Sequence, residues 1–369
     1  MALAPTLLEQ ARDRGLRFQG ALGQADPACV AKLVRSPNGT DVVTKFLSSN
    51  PAAASMLVSA LLPEVPSLAS HPYGAGVISE LFCHCQDLKL GPAVNALSSC
   101  LKGSLLRLTK DRFGCRVVQA ALREALPEFQ QSFTSELKGQ VLCLSLHLHA
   151  NFVLQKCIEL LEPRVGVFLV EELKDHAVTV AVHVYGCRVL QRLIEHCSRE
   201  PQLIELVDSL LGNTDNVEKL LKDLFGSNVL RALLVHGTTS HVKAILDVLG
   251  TNVLKFAKHK HASLVFERCL EVSSSCEELR LPRKQLMAQL IQSNLSGKAP
   301  LSQVLLDRFG NYLAQRVIQC CCGNEEEMIL KLLASSWPKL QRSPVGRHIM
   351  VAATRRFGRN LQEIMKKGT

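Results

Sequence analysis

The chain lacks the usual marks of an enzyme or a membrane protein. No nucleophile with a base and an orienting partner, no glycine-rich phosphate cradle and no metal-binding set occurs at usable spacing. The start, MALAPTLLEQARDRG, has no apolar core of a secretory signal, and no apolar run is expected to reach membrane-spanning length. A cytoplasmic location is the expectation, with nucleus or nucleolus left open because no basic import cluster is visible. Sustained strand-like alternation is missing as well. Helix formers dominate stretches such as SELKGQVLCLSL and PQLIELVDSLLG, so the chain should be all-α. Acid is in deficit: 33 Asp and Glu face 43 Lys and Arg, a formal charge of +10 with a pI near 9.0. Such a surface raises the local concentration of polyanions without conferring specificity on its own.

A disulfide framework is not expected despite 14 cysteines, because no secretory signal is present and a large apolar interior can hold reduced thiols. Cys157, Cys197, Cys269 and Cys321 fall at apolar helix positions and belong to the core. Cys83 and Cys85 form a CxC, Cys320 to Cys322 a run, and HLH at 147–149 and HKH at 259–261 pair histidines. None has a partner pair at zinc-finger spacing, so no metal and no cofactor is expected.

What the chain does have is one phrase, repeated nine times: Gly or Ala, two variable residues, two mostly aliphatic residues and usually a polar one. It occurs in SPNGTDVVT, HPYGAGVIS, DRFGCRVVQ, HLHANFVLQ, HVYGCRVLQ, DLFGSNVLR, HKHASLVFE, DRFGNYLAQ and SPVGRHIMV. The pivots are Gly39, Gly74, Gly114, Ala150, Gly186, Gly226, Ala262, Gly310 and Gly346, in steps of 35, 40, 36, 36, 40, 36, 48 and 36. A period of this size marks a solenoid, whose units contact only their neighbours and so need no single large core.

Wound as a helix starting near Asp111, with Asp as N-cap, DRFGCRVVQAAL places Val117, Val118, Ala121 and Leu122 on an apolar stripe. Gly114 permits close approach of a neighbouring segment. Cys115 and Gln119, four apart, stack on one face with Arg116 beside them, and all three are expected to point away from the stripe. Asn151, Phe152 and Gln155 repeat this partition, as do Asn311, Tyr312 and Gln315. A solvent-facing Phe or Tyr has no packing reason to sit there. Flat and cationic groups flanked by amides, aligned along a concave surface, suit stacking on bases and reading of their edges. On one helix these residues would be ordinary solvated ones. In nine units the pair at i and i+4 changes chemically while the aliphatic pair between them hardly does.

The phrases GCRVVQ, NFVLQ, YGCRVLQRLIEHC, HKHASLVFE and DRFGNYLAQRVI closely resemble the repeats of the Pumilio (PUF) family of single-stranded RNA-binding proteins. The resemblance covers about residues 26–369, is specific in repeats 3 to 8, and rests on phase alone in repeats 1 and 2. It implies a right-handed α-solenoid superhelix, a crescent of three-helix repeats. A flank at 1–25 is followed by repeats at about 26–61, 62–98, 99–134, 135–170, 171–209, 210–246, 247–292 and 293–330, then a C-terminal flanking repeat at 331–369. RNA would lie antiparallel along the inner surface, repeat 8 meeting the 5′ base, with two edge residues and one stacker per base.

Under that geometry Asn311 and Gln315 should read U with Tyr312 stacking, and Asn151 and Gln155 should read U with Phe152 stacking. Ser263 and Glu267 should read G, since a carboxylate wants the paired donors of guanine, with Leu264 at the stacking position. Cys187 with Gln191 and Cys115 with Gln119 should read A, with Arg188 and Arg116 stacking. Ser227 and Arg231, with Asn228 at the stacking position, depart from the family pattern. Arginine only donates, which favours C over U; the alternative is that Arg231 meets a phosphate and the base goes unread. Ala75, Gly76 and Ser79 in repeat 2, and Thr40, Asp41 and Thr44 in repeat 1, are too short or wrongly charged to read strongly. The expected target is 5′-UG(C/U)AUA.

The resemblance further implies a non-enzymatic, monomeric binder of mRNA 3′ untranslated regions that represses expression through protein corepressors on its convex face. Two alternatives stand beside it. A nucleolar relative binding ribosomal precursor RNA would have degraded recognition triplets, and a protein-binding helical scaffold would not need Ser with Glu in one repeat and Asn with Gln in another.

Overall fold

In the computed structural model of the chain, residues 26–124, 127–293 and 297–361 are described, and among them every regular element is helical. The N-terminal flank 1–25 lies outside the described residues, as does the end of the C-terminal flank, 362–369. The chain divides into two compact units, 1–175 and 176–369.

Each of the nine phrases opens or lies within the first turn of one helix. In the first unit these are α1 (Pro37–Ser49), α2 (Gly74–Asp87), α3 (Gly114–Glu124) and α4 (Ala150–Leu160). In the second they are α5 (Gly186–His196), α6 (Gly226–His236), α7 (Ala262–Ser274), α8 (Gly310–Cys320) and α9 (Pro344–Phe357). Within each unit every such helix packs on the next. The predicted stripe is the core: Val117, Val118 and Ala121 have no exposed surface, and Cys157, Cys197, Cys269 and Cys321 are buried with them.

A three-helix repeat is clearest at 104–137, where the short helix Leu105–Lys110 precedes α3 and Pro127–Leu137 follows it. The last helix closes on the turn before the first. Both oxygens of Glu136 accept backbone N–H groups, from Gly103 at 2.6 Å and Leu105 at 2.9 Å. One repeat later Glu172 does the same to Gly139 and Val141, at 2.6 and 2.9 Å. Gly103 and Gly139 take φ of +75° and +78°, a region that a side chain would strain.

The pivot is small for a packing reason. A Cβ on Gly114 would lie 2.9 Å from the carbonyl oxygen of Leu108, six residues back, and one on Gly226 2.9 Å from Cα of Leu220. The pivot helix therefore starts against the backbone of the short helix before it.

One sequence expectation is corrected. Pro51–Leu68 is an 18-residue helical stretch long and apolar enough, by length and composition alone, to cross a membrane. It consists of four short helical segments with prolines at 63 and 66, and Leu57, Leu61, Val65 and Leu68 have no exposed surface within the stack. Its segments pack on the neighbouring helices of the first unit.

Candidate nucleic-acid interface

The turn before each pivot fixes where the variable residues point. Three residues ahead of the pivot stands Asp or His in seven consecutive phrases, and its acceptor atom takes two backbone N–H groups. Asp111 Oδ1 accepts from Phe113 and Gly114 at 2.9 and 2.6 Å, and Asp223 and Asp307 do likewise. His147 Nδ1 accepts from His149 and Ala150 at 3.2 and 3.3 Å, and His71, His183 and His259 repeat that geometry. The Asp111 cap expected from the sequence is present, with the helix itself beginning at Gly114. The paired histidines of HLH and HKH are thus one half cap: His147 and His259 must be neutral at Nδ1 to accept. Burial lowers the pKa of His71, His147 and His259, which favours that form.

After the cap, the same exposure pattern follows in repeats 3, 4, 5, 7 and 8: buried, open, two buried, half-buried; in repeat 6 the open and half-buried places are exchanged. The open residue is the predicted stacker. In the first unit Arg116 and Phe152 stand out, Phe152 at 53% exposure; in the second Arg188, Leu264 and Tyr312 do, Tyr312 at 59%. Asn228 is half-buried, its Nδ2 donating to the Leu224 carbonyl at 3.0 Å.

The first edge residues correct the expectation that all three side chains point away from the core. Cys115, Asn151, Cys187, Ser227, Ser263 and Asn311 are all buried. Each sits in the first turn, where its donor folds back onto carbonyls of the cap turn. Asn151 Nδ2 donates to the carbonyls of His147 and Leu148 at 2.8 and 2.9 Å, and Asn311 Nδ2 to those of Asp307 and Arg308 at 2.8 and 3.1 Å. Ser227 and Ser263 donate to Leu224 and Lys260, and the Cys115 and Cys187 thiols to Arg112 and Val184. Burial pushes both thiol pKa values up, so they act as neutral donors. Two carbonyls facing one amide end also fix its orientation: Nδ2 points in and Oδ1 out.

The second edge residues remain accessible. Gln155 Nε2 donates to Asn151 Oδ1 at 3.0 Å, and Gln315 Nε2 to Asn311 Oδ1 at 3.3 Å and to its backbone carbonyl at 3.4 Å, whereas Gln119 and Gln191 donate only to the carbonyls of Cys115 and Cys187 among these groups, at 3.0 Å. The first residue thus sets how the amide after it is held. Arg231 is exposed and lines a cavity of about 370 Å³ with Val235, Leu264, Glu267, Arg268 and Glu271. Glu267 meets Arg316 of the next repeat, a residue the sequence reading did not single out.

Repeats 1 and 2 present little. Ala75 is buried, Gly76 adds no side chain, and Ser79 Oγ donates to the Ala75 carbonyl. Thr40 Oγ1 donates to the Val34 carbonyl, Asp41 pairs with Lys45 at 2.7 Å, and Thr44 is half-buried.

Stacked helical units, each presenting variable side chains at a fixed register after its pivot, define a helical repeat protein. The model of the Pumilio-family RNA binding repeat matches at 104–137, 140–173, 176–211, 216–249, 252–280 and 303–334, more than half of the chain. The chain belongs to the Pumilio family of RNA-binding, non-enzymatic repeat proteins.

Among curated proteins it is 26% identical over 137 residues to Pumilio homolog 12 of Arabidopsis thaliana, covering 37% of this chain and 21% of that protein. It is 26% identical over 100 residues to the mRNA-binding protein PUF3 of Saccharomyces cerevisiae, covering 27% of this chain and 11% of that protein. The alignments thus span about a fifth or less of those relatives' length. Among solved structures, PUF-8 in complex with PBE-RNA superposes with a TM-score of 0.80 at 20% identity, over 91% of this chain and 94% of that one. The Puf3 RNA binding domain bound to Cox17 RNA 3′ UTR recognition sequence site A gives 0.77 at 22%, over 94% and 99%. At these identities the likeness is one of fold.

Proposed function

We propose that the chain binds single-stranded RNA sequence-specifically, one base for each of repeats 3 to 8, with the target 5′-UG(C/U)AUA. The observation that carries this reading is the second edge position. It stands five residues after each pivot and is never buried, while its chemistry runs Gln119, Gln155, Gln191, Arg231, Glu267 and Gln315. Amides can meet U or A, a carboxylate wants the two donors of G, and a guanidinium wants the acceptors of C. The buried first edge residues act through this group: Asn151 and Asn311 hold a glutamine by Oδ1, and the cysteines leave room for a purine.

Binding in mRNA 3′ untranslated regions, with repression in the cytoplasm through recruited proteins, is the role we assign. The Puf3 domain bound to a 3′ UTR sequence and the mRNA-binding relative PUF3 support it. Selection from a random RNA library tests the reading. Enrichment of UG(C/U)AUA is the expected result, and enrichment of no hexamer would overturn it.

A further inference from the structure

The run Cys320 to Cys322, which has no part in base reading, closes α8. Its middle thiol belongs to the core: Cys321 is 2% exposed, its Sγ donates to the Ile318 carbonyl at 3.2 Å, and burial pushes its pKa up to about 12. Its two neighbours do not share that burial. With Cys276, just past the end of α7, Cys320 and Cys322 line an open cavity of about 390 Å³ in the second unit, Cys322 exposed and the other two half-buried. Among the described residues no three His, Cys, Asp or Glu side chains come together as metal ligands, so these cysteines meet the cavity as free thiols.

The turn that carries them is braced from the helix between α7 and α8, Arg280–Ile291. Arg283, 7% exposed, donates through Nη2 to the Cys320 carbonyl and lies 3.4 Å from Glu325 Oε2. That oxygen accepts the Cys322 N–H at 3.1 Å and stands 3.9 Å from Cys322 Sγ. Arg283 also lines the cavity, and its buried Nε–H has no hydrogen-bond partner among the described residues. An unpaired buried donor on the wall of an open cavity calls for an acceptor from outside the chain.

On the rim Arg280 pairs with Glu277 at 2.9 Å, with side chains 76% and 83% exposed. A pair this open holds weakly and is exchanged at little cost. Arg280 also feels Cys322: its pKa is raised by Glu277 first and by the Cys322 sulfur as well. The cavity thus brings together an exposed thiol, guanidinium groups for carboxylates and a carboxylate for an ammonium.

We propose that this cavity is a thiol-modification site for a small zwitterionic peptide disulfide of the glutathione class. The Cys322 thiolate attacks one sulfur of that disulfide, and the new S–S bond forms as the old one breaks. Cys322 is oxidised; the departing half is reduced to its thiol and takes up the proton that Cys322 gave up. Carboxylates of the bound half meet Arg280 and the Arg283 Nε–H, and its ammonium meets Glu277. A cysteine that is merely exposed would react as well, but without distinguishing a charged disulfide from a neutral one.

The test is mass spectrometry with peptide mapping on the full folded chain, after brief exposure to oxidised glutathione or to neutral hydroxyethyl disulfide. Cys143, the other exposed cysteine, is the internal reference. The ratio of Cys322 to Cys143 modification rates should be severalfold higher with oxidised glutathione than with the neutral disulfide. Arg280→Ala should bring the two ratios together while leaving the neutral reaction unchanged. Cys322→Ser should leave Cys276 and Cys320 unmodified over the same period. Equal ratios for the two disulfides, a glutathione preference that survives Arg280→Ala, or a fast adduct on Cys276 or Cys320 in Cys322→Ser would overturn the site.

Discussion

Arg316 Nη2 lies 3.4 Å from Glu267 Oε1, joining repeat 8 to the second edge residue of repeat 7, with both side chains 27% exposed. One carboxylate oxygen is thereby held by a cation while the other stays open. Glu267→Gln should weaken binding to G at the second base by about 1–3 kcal/mol and relax selectivity there. Arg316→Met should produce a smaller loss confined to the same base. Titrations with each of the four bases at that position check both; a loss uniform across bases would assign Arg316 to a phosphate.

Arg231 is exposed and has no ion-pair partner among the described residues, unlike Glu267. RNAs differing only by C or U at that base should bind with C preferred, and Arg231→Gln should reverse the order by about 1–3 kcal/mol. Equal weakening of both RNAs by that substitution would make Arg231 a backbone contact.

The histidine caps make stability depend on pH. Burial lowers the pKa of His71, His147 and His259, helped by Arg35 at the first, His149 and Lys110 at the second, and His261 and Lys222 at the third. His241 is also lowered by burial, against the opposing pull of Asp208. A folded value below the unfolded one, about 6.5, means the unfolded chain binds more protons. Their contribution is fully present above about pH 6.5 and is lost as pH falls through the folded values. The melting temperature should therefore drop between about pH 7 and 5. His147→Asp with His259→Asp, the residue already used at 111, 223 and 307, should keep the caps and flatten the profile.

Gly114→Ala should destabilise the chain by about 1–3 kcal/mol in chemical denaturation, the usual scale of overpacking. The added carbon would meet Cδ2 of Leu108 at 2.9 Å and its Cα at 3.1 Å. Ala150 and Ala262 hold the equivalent place in their repeats, fully buried. Exchanging them for Gly should cost about 0.5–1 kcal/mol through backbone entropy, with no clash to relieve.

Much of this was legible in the chain itself. The apolar stripe of Val117, Val118 and Ala121 and the open positions of Phe152 and Tyr312 follow from helical phase. The cap residues were legible in principle, since Asp or His recurs three places before seven pivots, but two neighbouring histidines suggest a metal pair before they suggest one acceptor and one bystander. Burial of Asn151 and Asn311 was not legible, because it depends on carbonyls that face them only once the cap has turned the backbone.

Periodicity, in the end, settled which residues share a helix face, because 3.6 residues per turn is a local property that the order of side chains records directly. Folding alone decided that Arg316 meets Glu267, 49 positions away, and that the first edge residues turn inward. Contacts between repeats depend on how one helix seats against the next, and that seating is set by close packing around the pivots, which no single repeat contains.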